Sequence, residues 1–88
     1  MLRRRVVVHG LVKGVGFRVS VARRAQSRGV AGWVRNRVDG TVEAVFEAEP
    51  DAVDALVAFA REGPRGAEVD AVEVAAEPPE GLARFEIR

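Results

Sequence analysis

Apolar positions along the chain change their spacing several times, and each change predicts a boundary between two elements. The segment from Val6 to Val12 is a continuous, β-branched apolar run, which is typical of a central strand. Apolar residues then recur at helical spacing from Phe17 to Arg28. A second helical stripe begins after Pro50, a residue suited to a first helical turn, and ends at Gly63-Pro64. The pattern therefore predicts one strand followed by two well-separated helices.

The segments between and after the helices read as further strands. Val30–Val38 and Thr41–Ala48 flank Asp39-Gly40, which is a strong hairpin signal. After the second helix, Glu68–Val74 and Ala83–Arg88 complete the pattern. The order β-α-β-β-α-β with a short extra C-terminal strand predicts an α+β fold, the ferredoxin-like α/β sandwich. In that fold two helices cover one face of an antiparallel sheet.

Composition narrows the class of protein. With 88 residues, 48% of them hydrophobic, we expect a single free-standing domain over residues 1–88. The absence of cysteine excludes disulfides, thiolate catalysis and cysteine-ligated metal sites, and fits a cytoplasmic location. A net charge of +1 argues against nucleic acid as a partner. No apolar run approaches the roughly 20 residues that span a bilayer. Arginine outnumbers lysine heavily, which a thermophilic source and a GC-rich genome explain equally well.

Few side chains are suited to acid–base or nucleophilic chemistry. The only histidine, His9, lies in the first strand, whereas Ser20 and Ser27 lie on the first helix, so no catalytic triad is indicated. One histidine and no cysteine also leave no zinc site, and we expect His9 to be structural or exposed. The carboxylates of the strands are expected on solvent-facing sides: Glu43, Glu47, Glu73 and Glu77. An enzyme of this sequence would have to work mainly with arginine, backbone amides and side-chain amides.

Two segments offer that chemistry. Gly14-Val15-Gly16-Phe17-Arg18 joins the first strand to the first helix, where glycines permit a tight turn and helical N–H groups remain free for an anion. Arg18 can offer two donors to a phosphate. A plain tight turn is the alternative. In the predicted second strand, Asn36 shares a face with Gly32 and Val34 and could hold a water molecule, or it could simply cap the hairpin.

Taken together, the two segments resemble the acylphosphatase family. Val12-Lys13-Gly14-Val15-Gly16-Phe17-Arg18 matches the family's Val-Gln-Gly-Val-Gly-Phe-Arg loop at all but one position. Gly-Trp-Val-Arg-Asn stands here as 32–36, followed by Asp39-Gly40. A looser similarity covers Gly63-Pro64, Ala67 and Val69. The resemblance runs essentially from end to end, and the family has the fold predicted above.

The resemblance implies a function and a role for each residue of the two motifs. Arg18 and Asn36 would be catalytic: Arg18 would bind the substrate phosphate and Asn36 would orient the attacking water. Main-chain N–H groups would bind the phosphate along the loop of Lys13, Gly14, Val15, Gly16, Phe17 and Arg18. The substrate would be a small acyl phosphate, hydrolysed without cofactor, metal or covalent intermediate. We expect a cytoplasmic monomer.

Two positions depart from the family pattern. Lys13 replaces the usual glutamine and is expected to project into solvent, and Arg37 stands where many relatives carry threonine. Neither change alters Arg18 or Asn36, so activity should survive.

Two other functions are alternatives to acyl phosphate hydrolysis: a non-catalytic accessory domain that binds phosphate or carbamoyl phosphate, and an RNA-binding sheet. The second is disfavoured because only His9 and Trp33 could stack on bases.

Overall fold

A computed structural model describes all 88 residues of the chain. Five strands and two helices follow one another in the predicted order: β1 (Leu2–Leu11), α1 (Phe17–Ser27), β2 (Ala31–Asn36), β3 (Val42–Ala48), α2 (Pro50–Glu62), β4 (Glu68–Glu77) and β5 (Phe85–Ile87). Predicted and observed boundaries differ most at β1 and β4, which are longer than the apolar pattern indicated. Most of the added residues pair with one another across the sheet, because residues 3–5 of β1 lie opposite residues 75–77 of β4. None of the helices is long and apolar enough to cross a membrane.

The strands form one sheet in the order β4-β1-β3-β2-β5. Neighbouring strands are antiparallel except β2 and β5, which run parallel. Alternate residues of the central strands point toward the helices, and Val6, Val34, Val42 and Phe46 on this face are fully buried. They pack against the apolar stripes of the helices, including Val21 of α1 and Leu56 of α2. The ferredoxin-like fold expected from the pattern is confirmed, with one parallel pair in the sheet.

The opposite face of the sheet departs from the sequence-based expectation. Glu43 and Glu47 of β3 were expected to face solvent, yet both side chains are buried. The Glu47 carboxylate accepts backbone N–H bonds from Glu80, Gly81 and Leu82 at 2.6–2.9 Å, so the segment between β4 and β5 lies over this face. The prediction was wrong because alternation identifies two faces of a strand but cannot show that a distant segment covers one of them.

Arginines of the neighbouring strands balance these buried carboxylates. Arg35 of β2 binds Glu43 through Nε at 2.7 Å and Nη2 at 2.6 Å, and Arg5 of β1 contacts the same carboxylate. Burial alone would raise the pKa of Glu43, but the hydrogen bonds and charges of Arg35 and Arg5 outweigh it and hold the pKa below its usual value. Glu43 is therefore a buried anion with a structural role, held by one arginine of β1 and one of β2.

The hairpin between β2 and β3 forms as predicted. The N–H of Arg37 donates to the carbonyl of Thr41 at 2.8 Å, and the Asp39 carboxylate accepts from both the N–H and the hydroxyl of Thr41. These two bonds lower the pKa of Asp39. Because the turn closes itself in this way, Asn36 is not used as the hairpin cap.

Candidate active site

The loop between β1 and α1 is shaped by two glycines in left-handed conformations. Gly14 and Gly16 both have φ of +74°, a region that side chains with a Cβ atom disfavour. Gly16 is the N-cap of α1 and has no side chain to satisfy the first N–H groups of the helix. Apart from the adjoining residues of the chain, no protein atom lies within 4 Å of the position that a Cβ would take at either glycine. The space beside both glycines is thus open.

The backbone donors of the loop are not used inside the protein. None of the N–H groups from Lys13 to Val19 donates to a protein acceptor; the first helical bond runs from Ser20 to the carbonyl of Gly16 at 3.0 Å. The last of these donors belong to the first turn of α1, where the helix dipole favours an anion. Arg18, in the same turn, is half-buried and forms no ion pair. Together they form a preorganised set of donors for a compact anion.

Asn36 lies at the last position of β2 and faces the same loop. The register pairs Gly32 with Phe46, Val34 with Ala44 and Asn36 with Val42, so the three β2 residues share a face, as predicted, and this face lies toward the helices. The Asn36 amide makes no hydrogen bond within the protein. It closes one side of a small cleft of about 110 Å³, whose lining is Val12, Gly14, Gly16, Phe17, Arg18, Val19 and Asn36.

The chain is similar to a family of known proteins. The family model described as acylphosphatase matches residues 4–87. The chain belongs to the acylphosphatase family. Proteins named acylphosphatase from Rubrobacter xylanophilus and Thermococcus kodakarensis are 58% and 51% identical to it. Each match covers 98% of this chain, with 79% of the Rubrobacter protein and 94% of the Thermococcus protein. The crystal structure of acylphosphatase from Bacillus subtilis has a TM-score of 0.96 at 39% identity, and covers 100% of this chain and 99% of that one.

Both motifs of the acylphosphatase resemblance meet at the cleft. Of the loop residues, Gly14, Gly16, Phe17 and Arg18 line it, whereas Lys13 and Val15 do not. Lys13 is exposed, and Val15 packs against the core, so any part they take in binding is through their backbone N–H groups. Arg37, the second departure from the family pattern, is likewise absent from the lining.

Two apolar residues that line the cleft were not identified from the sequence. Val12 is buried under the loop, and Val19 is 45% exposed on the first turn of α1. Val19 places an apolar side chain on the otherwise polar face of α1, one residue after Arg18. This break in the helical pattern is the feature of the sequence that could have identified it. Val19 gives the rim of the cleft a small apolar surface beside the donors.

A second turn supports the acylphosphatase loop from behind. Gly63, which ends α2, has φ of +75°, and a Cβ there would lie 3.2 Å from Cε2 of Phe17 and 3.1 Å from Cβ of Ala67. Phe17 is itself buried and begins α1. The turn after α2 therefore holds the ring that fixes the start of α1, which gives the Gly63-Pro64 similarity a structural reason.

The remaining candidate groups lie away from the cleft. His9 is partly exposed and lies 2.5 Å from the Glu73 carboxylate on the other face of the sheet. No group of three or more His, Cys, Asp or Glu side chains is arranged to hold a metal ion. The polar side chains of the cleft are therefore one guanidinium and one amide.

Proposed function

We propose that this chain hydrolyses the carboxyl–phosphate bond of acyl phosphates, with Arg18 binding the phosphate and Asn36 positioning water. The observation that carries the proposal is the arrangement at one cleft of a free guanidinium, a free side-chain amide and a row of free backbone N–H groups. The names of the curated relatives support the same activity.

Phosphate binding rests on the loop and on Arg18. A phosphoryl group has three equatorial oxygens, and the N–H groups from Lys13 to Arg18 can donate to them from the concave side of the loop. The guanidinium of Arg18 offers two further parallel donors. These donors are fixed before the substrate arrives, so they stabilise charge on the phosphoryl oxygens with little reorganisation.

Water attack is assigned to Asn36. Its carbonyl oxygen can accept a hydrogen bond from a water molecule, and its amino group can donate one, so the amide can fix both position and orientation. The water oxygen forms a bond to phosphorus while the bond from phosphorus to the acyl oxygen breaks. The carboxylate leaves with that electron pair, and a phosphate oxygen takes the water proton. A carboxylate is a good leaving group, so positioning and charge stabilisation suffice without a strong base.

We also propose that the reaction needs no metal ion and that the chain acts as a cytoplasmic monomer with no nucleic acid partner. Arg18, the helix dipole and the loop N–H groups supply the positive potential that a metal would otherwise provide.

The surface supports a monomer that does not bind nucleic acid. Exposed large apolar side chains are scattered over separate elements rather than gathered in a patch that a second copy could cover. The guanidinium groups of Arg35 and Arg88 lie over the Trp33 ring, at 5.5 and 5.1 Å from its centre, and would compete with a base for stacking on it.

Hydrolysis of benzoyl phosphate, followed by ultraviolet absorbance with excess EDTA, tests the proposal. We expect turnover far above the spontaneous rate and unchanged by the chelator. Turnover that EDTA abolishes and Mg²⁺ restores would overturn the metal-independent part. A folded protein that binds phosphate without turnover would instead support the accessory function, in which the same loop holds a phosphate or carbamoyl phosphate.

A further inference from the structure

The positive charges that remain unpaired are concentrated on the helical side of the molecule. All ten ion pairs join residues of the sheet, the β2–β3 hairpin and the C-terminal segments; none uses a residue between Gly10 and Val34 or between Ala48 and Val72. The arginines of both helices and of the turn that follows α2 therefore have no carboxylate within 4.0 Å. Their charge is free to act on a ligand.

Three of these arginines face one groove between the helices. Ser20, Arg23, Arg24 and Ser27 recur at helical spacing and form a single stripe along α1. Phe59 and Glu62 of α2, with the turn at 63–65, form the opposite wall, and the open groove between the walls has a volume of about 540 Å³. Small-molecule sites typically fall between about 300 and 1,000 Å³. The groove is thus large enough for a ligand of several polar groups.

The lining has the chemistry of an anion site. Arg23, Arg24 and Arg65 bring three positive charges and Glu62 one negative charge, which leaves a surplus of two on a chain whose net charge is only +1. The Arg24 guanidinium lies 4.4 Å above the centre of the Phe59 ring, which holds it in place. Phe59 is the one large apolar side chain of the lining, and Arg24 lies over its ring, so the groove offers little apolar surface for a base or an acyl chain.

The groove is separate from the cleft of Arg18 and Asn36, although both flank α1. Arg18 does not lie on the Ser20–Ser27 stripe, and the linings of the cleft and of the groove share no residue. The groove and the cleft are connected by one contact: Gly63 lines the groove and packs against Phe17, which lines the cleft. A ligand in the groove would therefore lie next to the residue that fixes the catalytic loop.

We propose that this groove is a second anion site that binds small compounds carrying a diphosphate group. Two linked phosphates present more oxygens over a longer span than one phosphate does, and so suit three guanidinium groups that lie on two separate elements. Inorganic pyrophosphate and a nucleoside diphosphate share this chemistry. Since Phe59 is already covered, recognition is through the phosphates and not through a base.

Backbone amide NMR shifts of the ¹⁵N-labelled protein, titrated with pyrophosphate, ADP and orthophosphate, test the proposal. One saturable set of shifts, the groove set, is expected at the amides of Ser20, Arg24, Ser27 and Gly63, with a Kd below about 1 mM for pyrophosphate. The groove set should be distinct from the set of shifts at the loop amides of Gly14–Arg18. Orthophosphate should bind at the groove set at least about tenfold more weakly. ADP should bind with an affinity similar to that of pyrophosphate, because only the diphosphate is recognised, and ADP binding tighter by about tenfold or more would contradict recognition through the phosphates alone.

A matched pair of double variants separates local from general charge effects. Arg24→Gln with Arg65→Gln should weaken pyrophosphate at the groove set by about tenfold or more and leave the Gly14–Arg18 shifts with phosphate unchanged. Arg28→Gln with Arg61→Gln removes the same charge from exposed positions outside the groove, and should leave both sets intact. The inference is overturned if the groove amides do not shift, if orthophosphate binds them equally well, or if the control pair weakens binding as much. All four positions are at the surface, and circular dichroism would establish that both proteins are folded.

Discussion

Arg18 and Asn36 line the same small cleft from two different elements, and neither side chain is bound to another protein group. Arg18 lies in the first turn of α1 and Asn36 at the end of β2, so their separation depends on how α1 packs on the sheet. Phe17, which precedes Arg18, and Val34, which lies two residues before Asn36, are both part of the core. The core thus fixes the relative position of the two groups to which we assign phosphate binding and water positioning.

Replacing Arg18 should abolish phosphate binding and turnover together. Arg18→Ala removes a fixed charged donor, and such a loss typically costs about 3–4 kcal/mol in transition-state stabilisation. Benzoyl phosphate kinetics and inhibition by orthophosphate measure both effects. Arg28→Ala, at an exposed position that ends the same helix, should keep turnover and inhibition. Normal inhibition by orthophosphate in Arg18→Ala would remove this arginine from the phosphate site.

Asn36 should affect the rate more than affinity. Asn36→Ala removes the amide that orients water but leaves the phosphate donors in place, so kcat should fall by a factor of about 10² or more with KM nearly unchanged. Arg37→Ala alters the next residue, whose side chain is outside the cleft, and should keep kcat within about twofold of the original. A rise in KM without a loss of kcat for Asn36→Ala would assign the amide to ground-state binding instead.

Gly16 should matter for activity beyond its effect on stability. An alanine in the left-handed region costs about 1–2 kcal/mol, and Gly16→Ala also places a methyl group on the donor loop. Gly29, with φ of +67° and open space at its Cβ, offers a matched control after α1. Both variants should lose similar free energy of unfolding in urea, whereas only Gly16→Ala should lose activity, by at least about tenfold. Equal activities would show that the loop tolerates a side chain at this position.

Acid should destabilise the protein in part through Glu47. Burial alone would raise the pKa of this carboxyl, but its hydrogen bonds with the 80–82 backbone and with Arg3 outweigh burial and lower the pKa from 4.5. A carboxyl with a lowered folded pKa stabilises the fold above its unfolded pKa, and this contribution is lost as the pH falls through the folded pKa. The free energy of unfolding should therefore decrease below about pH 4.5.

Glu47→Gln isolates that contribution. Because it leaves Arg3 and the 80–82 segment without their buried anion, it should destabilise the protein at pH 7 by about 3 kcal/mol. The gap from the unmodified protein should narrow as the pH is lowered toward 3, which urea unfolding at a series of pH values measures. Glu73→Gln, which alters an exposed pair with His9, should cost under about 1 kcal/mol. A gap that stays constant with pH would contradict a lowered pKa for Glu47.

The sequence by itself determined the order of the elements, because apolar spacing reports which side of a helix or strand is buried. It also made Gly14, Gly16, Arg18 and Asn36 candidates, since glycine pairs before a helix and an asparagine inside a strand are locally unusual, and the family resemblance gave them their expected roles. The two-residue period of β2 predicted that Asn36 shares a face of the strand with Gly32 and Val34. These properties depend on neighbours in the chain, and the structure agrees with them.

Only the tertiary structure decided which of these residues meet and which polar groups are buried. Glu43 and Glu47 looked exposed because their strand alternates, yet Arg5, Arg35 and the segment before β5 cover them. Val12 and Val19 became part of the cleft only when α1 packed on the sheet. The groove of Arg24 and Arg65 likewise joins two distant segments. Burial and contact between distant residues depend on how the elements pack, and local patterns in the sequence carry no direct record of that packing.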